Sequence, residues 1–295
     1  MARLAGVSAL GERPSDDVGV QTPVHEPPVG EAGFSFARFA RHPFFTEVNR
    51  WLVARVASLG PRVVDVACGP GATTELILSA MPERGGVIYA VDASLAELDR
   101  ARRHITSSIV RFVHGSVEEL SRLIPQVDVA IFCNAIHLVA DKRHVLGEIR
   151  KVLGPGGVLA FNTTYFKGCY VPGTERFWRS WILRAVKYLR ERKIPIVRTQ
   201  KTQAMQWYTP EEYAALVAAS GFGEASWDLQ ETHMSAESLE DIAQFALFIE
   251  GALPGVPLDI AAEALARSVR EAMRDVRLPD MVPRYWLQFI AHVPA

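Results

Sequence analysis

Two carboxylates bracket the stretch of this sequence best equipped for ligand chemistry. Asp65 lies in VVDVACGPGATT, Val63 to Thr74, four residues before Gly69. A carboxylate there can meet the charged amino group of an amino-acid-like ligand. Asp92 ends the next β-branched run, about 20 residues past the turn, where an acid can accept both hydroxyls of a ribose. Gly69 and Gly71 let the backbone bend sharply and approach a ligand without Cβ interference. Further on, Phe132-Cys133-Asn134-Ala135-Ile136-His137-Leu138 ends a fourth apolar run. Ligands of doubly wound folds sit beyond the carboxyl ends of strands, so Asn134 and His137 are placed to face one. Two readings stay open for this pair. Either Asn134 caps the next helix and His137 packs in a wall, or His137 is a general base, since imidazole titrates near neutral pH. Tyr165, Tyr170, Trp207 and His233 fall at segment boundaries that could face the same pocket, and each also reads as structural.

The elements that must hold these groups follow from periodicity. Short β-branched runs at Val63 to Ala67, Val87 to Asp92, Val110 to His114, Val127 to Cys133 and Gly157 to Thr164 alternate with helical stretches. Such alternation predicts a doubly wound α/β core with a parallel sheet. A tight LGPGG turn, Leu153 to Gly157, precedes the fifth run. Residues 34–60 read as helices with a wide apolar face, and Thr174 to Lys193 as a long amphipathic helix with Arg176, Arg179, Lys187 and Arg190 on its polar side. Thr209-Pro210-Glu211-Glu212 is a capping-box helix start. A strand near Ala225 to Thr232, helical stretches at Ser238 to Glu250 and Leu258 to Val276, and a final strand at Tyr285 to Val293 complete the reading. Residues 1–32, rich in Pro, Gly, Asp and Glu, are expected to form a flexible tail. Residues 33–295 then form one domain, with cap helices at 34–60 and cap insertions at 165–206 and 235–283.

Bulk properties narrow the function. The 295 residues carry a net charge of -1, so no chain-wide field attracts a polyanion, and nucleic acid is disfavoured as a partner. Three scattered cysteines without a CxxC pair suggest neither disulfides nor a metal site, and fit the cytoplasm. No apolar run is long enough to span a membrane. Two nucleotide folds are disfavoured. A phosphate-binding Walker loop needs a lysine where this turn continues Ala72-Thr73-Thr74. A dinucleotide dehydrogenase wants glycine or alanine in place of Thr74 and has no use for Asp65.

On Asp65, Gly69, Gly71, Asp92 and the LGPGG turn, the sequence resembles the class I S-adenosylmethionine (SAM)-dependent methyltransferases, in their small-molecule branch. The resemblance covers residues 34–165 well and extends weakly through Trp207 to Glu212 towards the last strand. It implies a seven-stranded sheet whose last strand is antiparallel, with SAM as cofactor. By it, Asp65, Ala67, Gly69 and Gly71 hold the methionine end, Asp92 the ribose, and Ala93, Ser116 and Val117 the adenine. Asn134 joins them, and His137 and Tyr165 are candidate catalytic groups. One position departs from the pattern. The family's Gly-Asp-Ala after the third strand is here Gly115-Ser116-Val117, which replaces a charged adenine contact by a hydroxyl.

The Phe-, Trp- and Leu-rich cap insertions suggest an apolar, aromatic or lipid-like acceptor of the kind met in secondary metabolism. The basic face of 174–193, extended by Arg198 and Lys201, suggests an anionic substrate or peripheral membrane contact, or is simply solvated. A monomer or homodimer acting on a small molecule is expected. The competing reading is a protein that keeps the SAM pocket but uses it non-catalytically or for a reaction other than methylation.

Overall fold

Valine, isoleucine and alanine dominate the runs Arg62–Val66, Val87–Asp92 and Val127–Cys133, and their burial on both faces explains why they lack strict alternation. The computed structural model describes residues 34–81, 86–196 and 206–295. The expected tail at 1–32, together with Arg198 and Lys201, lies outside those residues. In chain order the elements are α1 (Pro43–Val56), β1 (Arg62–Val66), α2 (Ala72–Ala80), β2 (Val87–Asp92), α3 (Leu95–His104), β3 (Val110–His114), α4 (Leu120–Leu123), β4 (Val127–Cys133), α5 (Lys142–Val152) and β5 (Leu153–Thr163). There follow α6 (Glu175–Glu191), α7 (Pro210–Ala219), β6 (Ala225–Ser235), α8 (Ala236–Ile242), α9 (Ala246–Ala252), α10 (Leu258–Val276) and β7 (Met281–His292).

The sheet has seven strands in the order β3-β2-β1-β4-β5-β7-β6. β1 to β5 pair in parallel, and β7 runs antiparallel between β5 and β6. The expected doubly wound sheet with an antiparallel last strand is therefore the fold. Its carboxyl edge collects the ends of β1, β2, β4 and β5 together with the start of β7, because Thr163 pairs with Leu287. The LGPGG turn lies at the opposite edge, where Gly156 N donates to Val293 O.

Three apolar clusters fill the molecule. One packs α4, α5 and α7 against one sheet face, and another packs α1, α2 and α3 against the other. The third joins residues from 34–48 to α6, α8, α9, α10, Val282 and Trp286. The separate cap segments thus share one core. Trp181 sits in it fully buried, its Nε1 donating to Leu265 O at 2.8 Å. The predicted capping box is present: Thr209 Oγ1 accepts from Glu212 N at 3.1 Å, and Thr209 N donates to Glu212 Oε2 at 2.7 Å.

Boundaries differ from the sequence reading in three places. β5 begins at Leu153 rather than Gly157, so the LGPGG stretch falls within it. The helix expected over Ser238 to Glu250 is broken, because Phe245 takes an extended conformation (φ -94°, ψ 121°) between α8 and α9. Its ring packs 5.1 Å from that of Phe36, so aromatic packing outweighs helical continuity. β6 and β7 also extend past their predicted ends to pair Ser235 with Met281. Part of the basic side of α6 is matched from α10. Arg184 binds Asp275 and Glu271 there, while Arg176, Arg179 and Arg190 face solvent.

Candidate functional site

β1 delivers Asp65 into the sheet centre at 1% exposure, where Thr74 Oγ1, in the first turn of α2, donates to Asp65 Oδ2 at 2.6 Å. Burial raises the Asp65 carboxyl to about 7, against the lowering effect of the Thr74 bond, with nearby Asp92 adding to the rise. The chain then turns through three left-handed residues, Ala67 (φ 54°), Gly69 (φ 54°) and Gly71 (φ 97°). A Cβ built on Gly69 would meet nothing within 4 Å, so this backbone borders open space. A Cβ on Gly71 would lie 2.7 Å from Ile105 Cδ1, so that glycine makes room for α3.

Asp92, at the end of β2, ties the turn in place. Its Oδ2 accepts from Gly69 N at 2.7 Å and its Oδ1 from Ser94 N at 2.8 Å. Burial raises its pKa while these two bonds oppose the rise. Each carboxylate oxygen has a second lone pair, so the group can still accept from a ligand. Beside it, His114 Nε2 lies 3.0 Å from Ala93 O, and the Ser116 hydroxyl donates to Glu118. An acid therefore stands beside the position where the family pattern has one, supplied two residues later. Val117 is half-buried in the same turn.

Beyond β4 the chemistry changes. Asn134 adopts φ 49° and caps no helix; its backbone N donates to Asn162 Oδ1 at 2.9 Å, and its own Oδ1 is buried with no partner. His137 is buried with Nδ1 3.1 Å from Thr163 Oγ1, and its ring centroid lies 4.3 Å from that of Tyr165. Burial, then Lys142 and Arg284, push the His137 pKa down to about 3. Burial raises the Tyr165 hydroxyl to about 12. Aromatic groups continue outward, with Tyr165 and Tyr170 each about 6 Å from Trp207, and Tyr170 stacked on Trp178. His233 is exposed and near Glu231, away from these groups.

The structure thus brings Asp65, Ala67, Gly69, Asp92 and Ala93 to one part of the edge and Asn134, His137 and Tyr165 to another. Sequence reasoning passed over Thr74, His114, Glu118, Lys142 and Arg284. Thr74 was noticed only as a departure from a dehydrogenase pattern, and the others belong to no motif. A separate cleft of about 360 Å³ opens between α1 and β6, lined by His42, Phe44, Glu47, Gln230, Thr232 and His233 among others. Apart from His233 and Glu231 it is lined by none of the groups above, and we place the candidate site on the chemistry of the edge instead. Among the described residues no helix is long and apolar enough to cross a membrane.

Residues 64–161 match the family model described as a methyltransferase domain. The chain is 34% identical over 113 residues to tRNA 5-carboxymethoxyuridine methyltransferase of Escherichia coli, covering 36% of this chain and 42% of that protein. It is 37% identical over 111 residues to trans-aconitate 2-methyltransferase of Methylobacterium nodulans, covering 37% and 41%. The chain thus matches about two fifths of the length of these curated relatives. Among solved structures, the YcgJ protein of Bacillus subtilis superposes with a TM-score of 0.54 at 16% identity, covering 84% of this chain and 99% of that one, a likeness of fold.

Proposed function

We propose that this chain, whose residues 64–161 carry a methyltransferase domain of the class I SAM-dependent kind, methylates a small apolar or aromatic molecule. The carrying observation is the turn after β1. Gly69 holds a left-handed conformation with open space where a side chain would stand, and its N–H is gripped by the acid that ends β2. The orphaned Asn134 Oδ1 is a second fit, a buried acceptor awaiting a donor. When bound, the cofactor supplies a methyl group on a positively charged sulfur, an electrophile that needs no further activation.

In this reading Asp92 accepts from the ribose hydroxyls while keeping Gly69 and Ser94. Asp65 faces the ligand's ammonium, a counter-charge that offsets the cost of ionising a buried acid. Ala67, Gly69 and Gly71 shape the turn, and Ala93, Ser116 and Val117 border the adenine, with Glu118 restoring the acid that Ser116 lacks. His137 stays neutral at pH 7 and is a weak base. It and Tyr165 orient the acceptor, and alignment supplies most of the acceleration. The small-molecule reading, despite a relative named for tRNA, is supported by the balanced charge and by the aromatic wall of Tyr165, Tyr170, Trp178 and Trp207.

Calorimetry on the full chain with SAM and S-adenosylhomocysteine tests the site, and release of S-adenosylhomocysteine from SAM with a panel of aromatic acceptors tests turnover. Both ligands are expected to bind. Absence of heat for either at millimolar concentration overturns the assignment.

A further inference from the structure

Arg284 lies near the start of β7 at 4% exposure, beside the acceptor half of the edge. Its Nε donates to Thr164 Oγ1 at 2.7 Å, and its Nη2 to Thr164 O at 2.8 Å. The guanidinium carbon is 4.4 Å from the ring centroid of Trp178, 5.2 Å from that of Tyr170 and 5.4 Å from that of Tyr165. All of these partners are neutral. Among the described residues no carboxylate forms an ion pair with Arg284, whereas Arg184 on α6 has two. Lys142, which opens α5, repeats the pattern at 3% exposure. Its Nζ donates to Val139 O at 2.8 Å and lies 5.4 Å from the Tyr208 ring centroid. Burial alone lowers its pKa, to about 8, with no acid holding it up. Both cations act on His137.

Burying a cation without a counter-charge is costly, and proteins rarely keep one without a partner. Two such cations flank the same histidine, on elements from distant parts of the chain. Thr164 takes the Nε side of the guanidinium, leaving the end-on pair, Nη1 and the second Nη2 hydrogen, for a planar group. That is the geometry of a bidentate carboxylate contact.

We propose that Arg284, with Lys142 adding to its field, receives a carboxylate on the acceptor, so that the molecule methylated here is an aromatic or apolar acid. The proposal rests on the methyltransferase reading for its meaning but not for its test. A guanidinium that merely clamps α6 to β7 through Trp178 would matter for stability and show no preference for charge in a ligand.

The experiment compares benzoate, phenyl phosphate and the neutral isostere benzamide by ligand-observed NMR titration of the full chain, with and without saturating S-adenosylhomocysteine. Benzoate is expected to bind at least about tenfold more tightly than benzamide, as for a desolvated charge-assisted contact. Arg284→Met should abolish that preference while affinity for S-adenosylhomocysteine stays within about twofold. Arg284→Lys, which keeps the charge and loses the fork, should fold and reduce the preference several-fold, a readout that survives if the Met variant does not fold. Equal binding of benzoate and benzamide, or a preference unchanged in the arginine variants, overturns the proposal. A preference for phenyl phosphate over benzoate overturns the carboxylate assignment. If S-adenosylhomocysteine fails to bind while the benzoate preference holds, the methyltransferase reading falls and the oxyanion site stands.

Discussion

The two halves of the carboxyl edge carry opposite charge, and burial perturbs them in mirror image. On the β1–β2 side the buried groups are acids, Asp65 and Asp92, whose pKa values are raised. On the β4–β5–β7 side they are the bases His137 and Lys142, whose pKa values are lowered, together with Arg284. Desolvation disfavours whichever form is charged, so each half is primed to gain from a ligand of the other sign. The first half lies within the segment matched by the methyltransferase domain, 64–161, as do His137 and Lys142 of the second; Arg284 and the aromatic wall lie outside it. The difference teaches that one physical cause, burial, can tune the two ends of a site to ligands of opposite charge.

The comparison can be broken most forcefully in the cap. Trp181→Ala should destabilise the protein by about 3–5 kcal/mol, the usual cost of removing a buried large aromatic group. Denaturant unfolding checks this, and in the remaining folded fraction S-adenosylhomocysteine affinity should hold if the halves are independent. Next comes Asp65. Its folded pKa of about 7 stands above the ordinary carboxyl value of 3.8, so the folded state retains a proton that the unfolded state has lost. Stability therefore falls as pH rises from about 4 to about 7 and levels off above it. Asp65→Asn should flatten that slope and gain up to about 4 kcal/mol at pH 8, while weakening SAM binding. Unfolding curves across pH decide it; an unchanged slope would mean that Asp65 ionises without penalty.

A smaller effect is expected at Asp92→Ala, which should weaken S-adenosylhomocysteine binding by about 1–3 kcal/mol, the cost of leaving hydrogen bonds unmade. Calorimetry reads this directly, and benzoate binding should not change. Smallest is Ala67→Gly. Relief of a left-handed non-glycine residue is worth about 1 kcal/mol, partly offset by the entropy of glycine in the unfolded chain. A thermal melt should show a slight rise or none, whereas a clear loss would show that the Ala67 methyl packs usefully.

What the sequence disclosed follows the same division. β2, β3 and β4 were legible to the residue, since β-branched runs bounded by turn residues encode buried strands locally. So was the Thr209 capping box, whose two bonds span three residues. The turn after β1 could be read because glycine reports directly on backbone conformation. Arg284 could not, because its meaning lies in what does not pair with it, and that depends on Thr164, Tyr165 and Trp178 from other elements. Phe245 was misread for a similar reason: its extended conformation answers to Phe36, more than 200 positions away. Glu118 was hidden by a two-residue offset from the pattern being sought.

The strand order holds a consequence for how the protein is made. β6 pairs with β7 alone, and β7, though the last strand in chain order, lies between β5 and β6, so β6 has no sheet neighbour until β7 is formed. The turn after β1 needs neither, since its contacts run to β2 and α3. Arg284, on β7, therefore reaches the edge only with the same strand that gives β6 its place in the sheet.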